Sequence, residues 1–152
     1  MNDCVFCKIV AGDLPCHKIW EDDKHIAFLS IFPNTEGFSV VATKKHYPSY
    51  AFDQDDKVIS DLVIASKKVA KLLDSKLSDV GRTGLIFEGM GVNHLHTKLF
   101  PLHGTKDLKE WRPVHSVDMN RYFKNYEGYI SSHDSLRADA KKLAALAKKI
   151  RS

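Results

Sequence analysis

Residues 91–103 read Gly-Val-Asn-His-Leu-His-Thr-Lys-Leu-Phe-Pro-Leu-His, a stretch that alternates polar and apolar side chains at its centre. His94, His96 and Lys98 alternate with Leu95 and Thr97. On an extended strand this alternation puts the two imidazoles and the ammonium on one face. Such a face is a candidate site for an anion or a metal ion, although alternating polar residues are also typical of a solvated strand.

Composition is that of an ordinary globular protein and excludes several classes. The 152 residues are 43% hydrophobic and 28% charged, which suits one domain with a full core. No apolar run approaches the ~18 residues that a membrane span requires. The N-terminus lacks the basic and then apolar pattern of a secretory signal. We therefore expect a cytoplasmic protein that does not enter a membrane.

The charge balance is mildly basic, with 23 Lys and Arg residues against 19 Asp and Glu residues. A net charge of +4 favours phosphate-bearing ligands without singling out nucleic acid. Aromatic and basic residues are not interleaved as they are in proteins that bind single strands. We expect no nucleic acid polymer among the partners.

Three cysteines are present, and Cys4 and Cys7 form a Cys-x-x-Cys pair. An odd number in a cytosolic chain argues against a disulfide framework. The pair is therefore half of a metal site, a redox pair or a chance occurrence. Redox pairs of the thioredoxin type follow a strand, and none precedes this pair, so a metal is the better functional interpretation. Cys16 is interpreted as a small buried residue.

Hydrophobic periodicity predicts an α+β domain built around an antiparallel sheet. A long amphipathic helix over residues 54–77 would be capped by Asp53, and a last helix over about residues 134–150 by Asp134. We treat residues 1–152 as a single domain in which residues 103–152 form a C-terminal extension. The remaining predicted elements are a helix at 5–11 and strands at 17–21, 25–29, 38–42, 81–88 and 93–101.

Four segments of the chain together resemble the histidine triad (HIT) family of nucleotide hydrolases and transferases. The family pattern His-φ-His-φ-His-φ-φ, where φ is hydrophobic, is matched by His-Leu-His-Thr-Lys-Leu-Phe at residues 94–100. Residues 4–15, 27–33 and 37–46 resemble its opening, its nucleoside-binding segment and its Lys-x-His segment. The resemblance implies a five-stranded antiparallel sheet with a long central helix and a C-terminal helix, in subunits that pair as homodimers.

For function, the resemblance implies hydrolysis of phosphoanhydride or phosphoramidate bonds at the α-phosphate of a nucleotide. His96 would attack phosphorus and form a nucleotidyl-histidine intermediate that water resolves. Lys98, together with backbone amides near residues 89–93, would stabilise the charge that develops. The residues implied in nucleotide binding are Phe28, Ser30, Ile31, Gly89, Gly91 and Asn93.

The resemblance extends to the bacterial-type, zinc-containing branch of the family. Carried over to this chain, the ligands are Cys4, Cys7, His46 and His94. This Cys₂His₂ set has no open position, which implies a structural zinc. The other interpretation is a cysteine pair that no longer binds metal.

Three departures from the family pattern bear on the substrate. Lys98 occupies the third histidine position, Ser30 stands where most members carry Asp, and residues 87–89 replace an Asn-x-Gly. A lysine supplies a point charge but not the acid–base chemistry of an imidazole. Two alternatives to a hydrolase therefore stay open, a nucleotide-binding module without turnover and a nucleotidylyltransferase. His103, beyond the strand, is expected to be structural.

Overall fold

A five-stranded antiparallel sheet organises residues 3–107 and 137–152, the part of the chain described in this computed structural model. The spatial order of the strands is β1-β2-β3-β5-β4. With the helices packed on it, this sheet confirms the predicted α+β class. The elements in chain order are α1 Val5–Ala11, β1 His17–Glu21, β2 His25–Leu29, β3 Ser39–Thr43, a 3₁₀ turn Ala51–Asp53, α2 Asp56–Lys76, β4 Thr83–Ile86, β5 His96–Pro101 and α3 Ala140–Arg151.

Helices α2 and α3 cover one face of the sheet and form the larger core with it. The buried positions of α2 recur at steps of three and four residues, the spacing that gives a helix one apolar stripe. The α3 helix adds Leu143, Ala147 and Ile150 to the same cluster. Thr97 of β5 points to this side, and its hydroxyl lies 2.7 Å from that of Ser66 on α2. This contact is fully buried and ties the long helix to the strand behind His96 and Lys98.

The opposite face of the sheet carries a smaller apolar cluster and the polar residues of β5. Directly opposed residues of antiparallel strands share a face, and His96 lies opposite Ala42 while Lys98 lies opposite Val40. The short helix α1 covers part of this face through Phe6. His96 and Lys98 therefore project beside an apolar surface that extends to β2.

Several predicted boundaries differ from the observed ones. β5 begins at His96 rather than near residue 93, because His94 N–H bonds the carbonyl of Val92 in a turn (2.8 Å). β4 spans only Thr83–Ile86 of the predicted 81–88. β3 spans Ser39–Thr43, one residue later than the predicted 38–42. Strands β1 and β2 and helix α1 have the predicted bounds.

Neither predicted helix N-cap is the residue that precedes the helix in the structure. Asp53 is part of the 3₁₀ turn, and Asp55 precedes α2 without a side-chain capping bond. Asp139 caps α3 by accepting from the N–H of Lys142 at 2.9 Å, and the helix starts at Ala140. Asp134, with the rest of residues 108–136, lies outside the described residues, so the division into a domain and a 103–152 extension stays a prediction. No helix within residues 3–107 and 137–152 has the length and apolar character to cross a bilayer.

We expect Leu62→Ala to destabilise the protein by about 2–5 kcal/mol, because the side chain is fully buried between α2 and the sheet and its loss leaves a cavity. The matched control is Ile64→Ala, since Ile64 lies on the same helix but is 55% exposed. This change should alter the free energy of unfolding by only about 0.5 kcal/mol. Equilibrium urea unfolding measures both. Equal losses would contradict the described packing of α2.

Candidate active site

Four potential metal ligands from three parts of the chain meet at one end of the sheet. Cys4 and Cys7 come from the start of α1, His46 from the loop after β3, and His94 from the turn before β5. Their ligand atoms all lie within 4.8 Å of one another. The cysteine Sγ to histidine Nδ1 distances are 3.4 Å for Cys4–His94, 3.3 Å for Cys7–His46 and 3.5 Å for Cys7–His94.

The donor set and its spacing fit a tetrahedral zinc ion. Zinc bond lengths of about 2.3 Å to sulfur and 2.0–2.1 Å to nitrogen imply S···N edges of roughly 3.5 Å in a tetrahedron. The Nε2 atom of His94 lies 2.7 Å from the carbonyl oxygen of Thr43. An Nε2–H that donates to this carbonyl leaves the Nδ1 lone pair directed at the cysteines, the outer-shell arrangement common among zinc-binding histidines.

The electrostatic environment of the cluster favours a neutral ring at His94. It favours thiolates at Cys4 and Cys7 only when a cation is bound. Burial lowers the pKa of His94, which keeps its ring in the neutral form that a metal accepts. Burial, followed by the neighbouring Cys4 thiol, raises the pKa of Cys7. Two thiolates this close together are favourable only beside a positive charge.

His96 is held in a defined orientation by the backbone of His94. Its Nδ1 lies 2.6 Å from the carbonyl oxygen of His94, and the ring is only 3% exposed. The edge of Phe6 packs against it at a centroid distance of 5.1 Å. Burial lowers the pKa of His96, so the ring is neutral near pH 7. A neutral ring with its proton on Nδ1 carries its reactive lone pair on Nε2.

Lys98 does not stand on this face as an isolated cation. Its Nζ lies 2.5 Å from Oε2 of Glu88, and the two side chains are 15% and 22% exposed. The sequence placed Glu88 only within residues 87–89, which differ from the family pattern, and did not predict its pairing with Lys98. The register of β4 with β5, where Ile86 lies opposite Lys98, is the signal that could have placed Glu88 near it.

The residues expected at the nucleoside lie at the end of β2. Phe28 is buried on the same face as His96 and packs edge-on against Phe6 at 5.5 Å. Ser30 follows the strand, and its hydroxyl accepts from the N–H of Phe32 at 3.1 Å. Ile31 is 41% exposed, and its carbonyl accepts from the N–H of Ala138, just before α3 (2.9 Å).

The residues expected at the phosphate end form a loop between β4 and β5. Gly89 and Gly91 both have positive φ, +70° and +85°, which side-chain-bearing residues rarely adopt. The Ser49 hydroxyl donates to the Gly89 carbonyl (2.9 Å), and Asn93 Oδ1 accepts from the Ser49 N–H (3.0 Å). The Asn93 side chain is therefore used at least partly within the protein. A cavity of about 430 Å³ adjoins this loop and the metal cluster, lined by Asp3, Cys4, Val5, His46, Gly91, Val92 and Asn93.

His103 lies away from this face and has a structural environment. Its Nδ1 is 2.9 Å from Asp79 Oδ1, and its Nε2 is 2.9 Å from the carbonyl oxygen of Glu36. Partial burial opposes the charged form, but the Glu36 carbonyl and the Asp79 carboxylate outweigh it and raise the pKa of His103. The imidazolium links the loop after β5 to the loops before β3 and β4.

Comparison with known proteins agrees with this geometry. The HIT domain family model matches residues 11–105. An uncharacterized HIT-like protein of Methanocaldococcus jannaschii is 31% identical over 130 residues, which cover 82% of this chain and 99% of that protein. The chain belongs to the HIT domain family.

Two further comparisons bear on activity and fold. The adenosine 5′-monophosphoramidase of Schizosaccharomyces pombe is 33% identical over 98 residues, covering 64% of this chain and 73% of that protein. A zinc-bound histidine triad family protein of Mycobacterium smegmatis has the same fold, with a TM-score of 0.69 at 19% identity over 99% of this chain and 91% of its own. The family thus includes a nucleotide hydrolase.

The environment of His103 generates a pH-dependent stability. Its pKa is raised in the folded protein above the ordinary value of 6.5, so its stabilising contribution is fully present below that pH and is lost as the pH rises through the folded-state pKa. His103→Gln should therefore lower the free energy of unfolding more at about pH 5.5 than at about pH 8.5. Urea unfolding at the two pH values measures this. Asp79→Asn should reduce the difference, whereas an equal loss at both pH values would contradict the assignment.

Proposed function

We propose that the protein is a nucleotide hydrolase that cleaves phosphoanhydride or phosphoramidate bonds at the α-phosphate through a nucleotidyl-histidine intermediate on His96. The observation that carries the proposal is the 2.6 Å contact between His96 Nδ1 and the carbonyl of His94. This contact fixes the tautomer whose Nε2 can act as the nucleophile. The S. pombe relative, named a monophosphoramidase, supports the same class of reaction.

The proposed reaction has two balanced steps. Nε2 of His96 forms a bond to the α-phosphorus while the bond to the leaving group breaks, and the leaving group departs with the bonding electron pair. An amine leaving group takes up a proton from the solvent as it departs. Water then attacks phosphorus and gives up a proton to the solvent, the P–N bond to His96 breaks with its electron pair returning to Nε2, and a nucleoside monophosphate is released with the neutral imidazole restored.

The other proposed site residues divide between the two ends of the nucleotide. Phe28 and Ile31 would contact the nucleoside, and Ser30 would make a single hydrogen bond to the ribose. Lys98 and the backbone amides of residues 89–93, including Gly89 and Gly91, would stabilise charge on the phosphate. Asn93 would hold this loop in place through Ser49 while lying beside the phosphate.

We also propose that Cys4, Cys7, His46 and His94 hold one structural zinc, as expected for the bacterial-type branch of the family. The converging donor atoms and the zinc-bound M. smegmatis protein of the same fold support it. With four protein ligands and no open position, zinc would supply cross-linking rather than Lewis acid chemistry. It would fasten α1, and with it Phe6, to the turn whose carbonyl orients His96.

A nucleotide-binding module without turnover is the competing function. The pairing of Lys98 with Glu88 favours it, because the carboxylate neutralises the positive charge with which Lys98 would stabilise a transition state. A nucleotidylyltransferase differs from the hydrolase only in the group that accepts the nucleotide from His96. Assembly as a homodimer and a cytoplasmic location remain predictions. Among residues 3–107 and 137–152, β4 lies at an edge of the sheet with Leu85 39% exposed, the kind of strand that can pair with a second copy.

His96→Ala should reduce the release of AMP from an adenosine phosphoramidate or a diadenosine polyphosphate by at least about a thousandfold, because no other nucleophile replaces the imidazole. His17→Ala, on the outer strand β1, is the matched control and should keep the wild-type rate. Mass spectrometry of quenched wild-type reactions should find an adduct on His96. Equal background rates for wild type and His96→Ala would exclude the hydrolase, and binding without an adduct would favour the binding module.

Elemental analysis of the purified protein should give about one zinc per chain, the stoichiometry of a single four-ligand site. Cys7→Ser should lose the metal and unfold at a lower temperature, since a ligand bound only by the native state stabilises it. Cys16→Ser removes the third cysteine, which is outside the cluster, and should retain both properties. Metal-free wild-type protein with unchanged thermal stability would contradict a structural zinc.

A further inference from the structure

We propose that Glu88 is a specificity-determining residue, whose carboxylate neutralises Lys98 and makes the site select nucleotides of low phosphate charge over polyphosphates. The proposal rests on the proposed function, because it concerns the same site, and it narrows the substrate class to phosphoramidate-like nucleotides. A nucleoside triphosphate or dinucleoside polyphosphate would meet a neutral ion pair where an unpaired lysine would attract it.

The position of the pair follows from the pairing of the two strands. Ile86 at the end of β4 lies opposite Lys98, and Glu88 follows two residues later, before Gly89 turns the chain with positive φ. Lys98 and His96 are two residues apart on β5 and project from the same face. The carboxylate therefore reaches Lys98 from the strand next to the nucleophile.

The Glu88–Lys98 pair is partly shielded from water, which strengthens the interaction of its charges with a bound ligand. The Nζ–Oε2 distance is 2.5 Å, and the two side chains are 15% and 22% exposed. Charges with restricted access to water interact more strongly with a ligand than surface charges do. A phosphate bound at His96 would feel the same two opposing charges.

The competing role for the pair is purely structural, as a salt bridge that joins β4 to β5. A structural bridge affects stability but not the choice between ligands that differ in charge. A charge-selective pair changes that choice according to the net charge left at the two positions. The net charge is zero in the wild type, +1 in Glu88→Gln, −1 in Lys98→Gln and zero again in the double variant.

Isothermal titration calorimetry with AMP and ATP, in the full-length protein with its metal content verified, separates these roles. ATP carries about two more negative charges than AMP at neutral pH. Glu88→Gln should shift the ratio of ATP affinity to AMP affinity about tenfold towards ATP, and Lys98→Gln should shift it the other way. The double variant should return to within about threefold of the wild-type ratio because its net charge is the same. Glu21→Gln removes an exposed carboxylate that pairs with Lys18 and Lys44 on the outer strand β1, and should leave the ratio unchanged.

Three outcomes would overturn the proposal: an unchanged ratio in a folded Glu88→Gln protein, a double variant that behaves like Lys98→Gln, or no binding of either nucleotide. Thermal unfolding of each variant identifies any that fail to fold. If Glu88→Gln is one of them, the other two variants still test the proposal, because Lys98→Gln should lower the ratio and the double variant should keep it near the wild-type value. Turnover is scored separately by AMP release. If the wild type releases no AMP but the variants show the expected affinity ratios, the proposed hydrolase is rejected and the proposed selection by charge stands.

Discussion

The candidate site depends on the way His94 is held between two partners. Its ring nitrogen Nδ1 faces two cysteines, and its Nε2 is directed at the backbone carbonyl of Thr43 on β3. Its own carbonyl receives Nδ1 of His96. One residue thus links the N-terminal helix, the middle of the sheet and the proposed nucleophile. A change that displaces the backbone of His94 is expected to alter the direction of His96 without contacting that ring.

The two faces of the sheet divide the work of stability and chemistry. One face is closed by α2 and α3 over a continuous apolar cluster, and the Ser66–Thr97 hydrogen bond is its buried polar contact on β5. The other face is covered only in part, by α1 and Phe6, and this leaves His96 and Lys98 beside apolar residues of β2 and β3. Because the strand is packed rigidly from behind, the side chains on its front are presented from a fixed backbone.

Much of this arrangement could be predicted from the sequence, and the exceptions have physical reasons. Strands β1 and β2 and helix α1 were predicted with their bounds because alternation and turn residues are local signals. The four metal ligands followed only from the family resemblance, since nothing local connects Cys4 with His94. The start of β5 was predicted too early, because alternation continues through a turn that a backbone hydrogen bond closes. The Glu88–Lys98 pair was missed because it depends on strand register, which periodicity alone does not give.

The long sequence separation inside the ligand cluster affects how the chain can fold. Cys4 and His94 are 90 positions apart, so their contact cannot form until most of the sheet has been synthesised. Helix α1 has an earlier partner, because Phe6 packs against Phe28 of β2, but the ligand set lacks His94 until that residue has been synthesised. Closing so long a loop also has an entropic cost that only the assembled strands can offset. The ligand cluster is therefore expected to close late in folding, and the orientation of His96 with it.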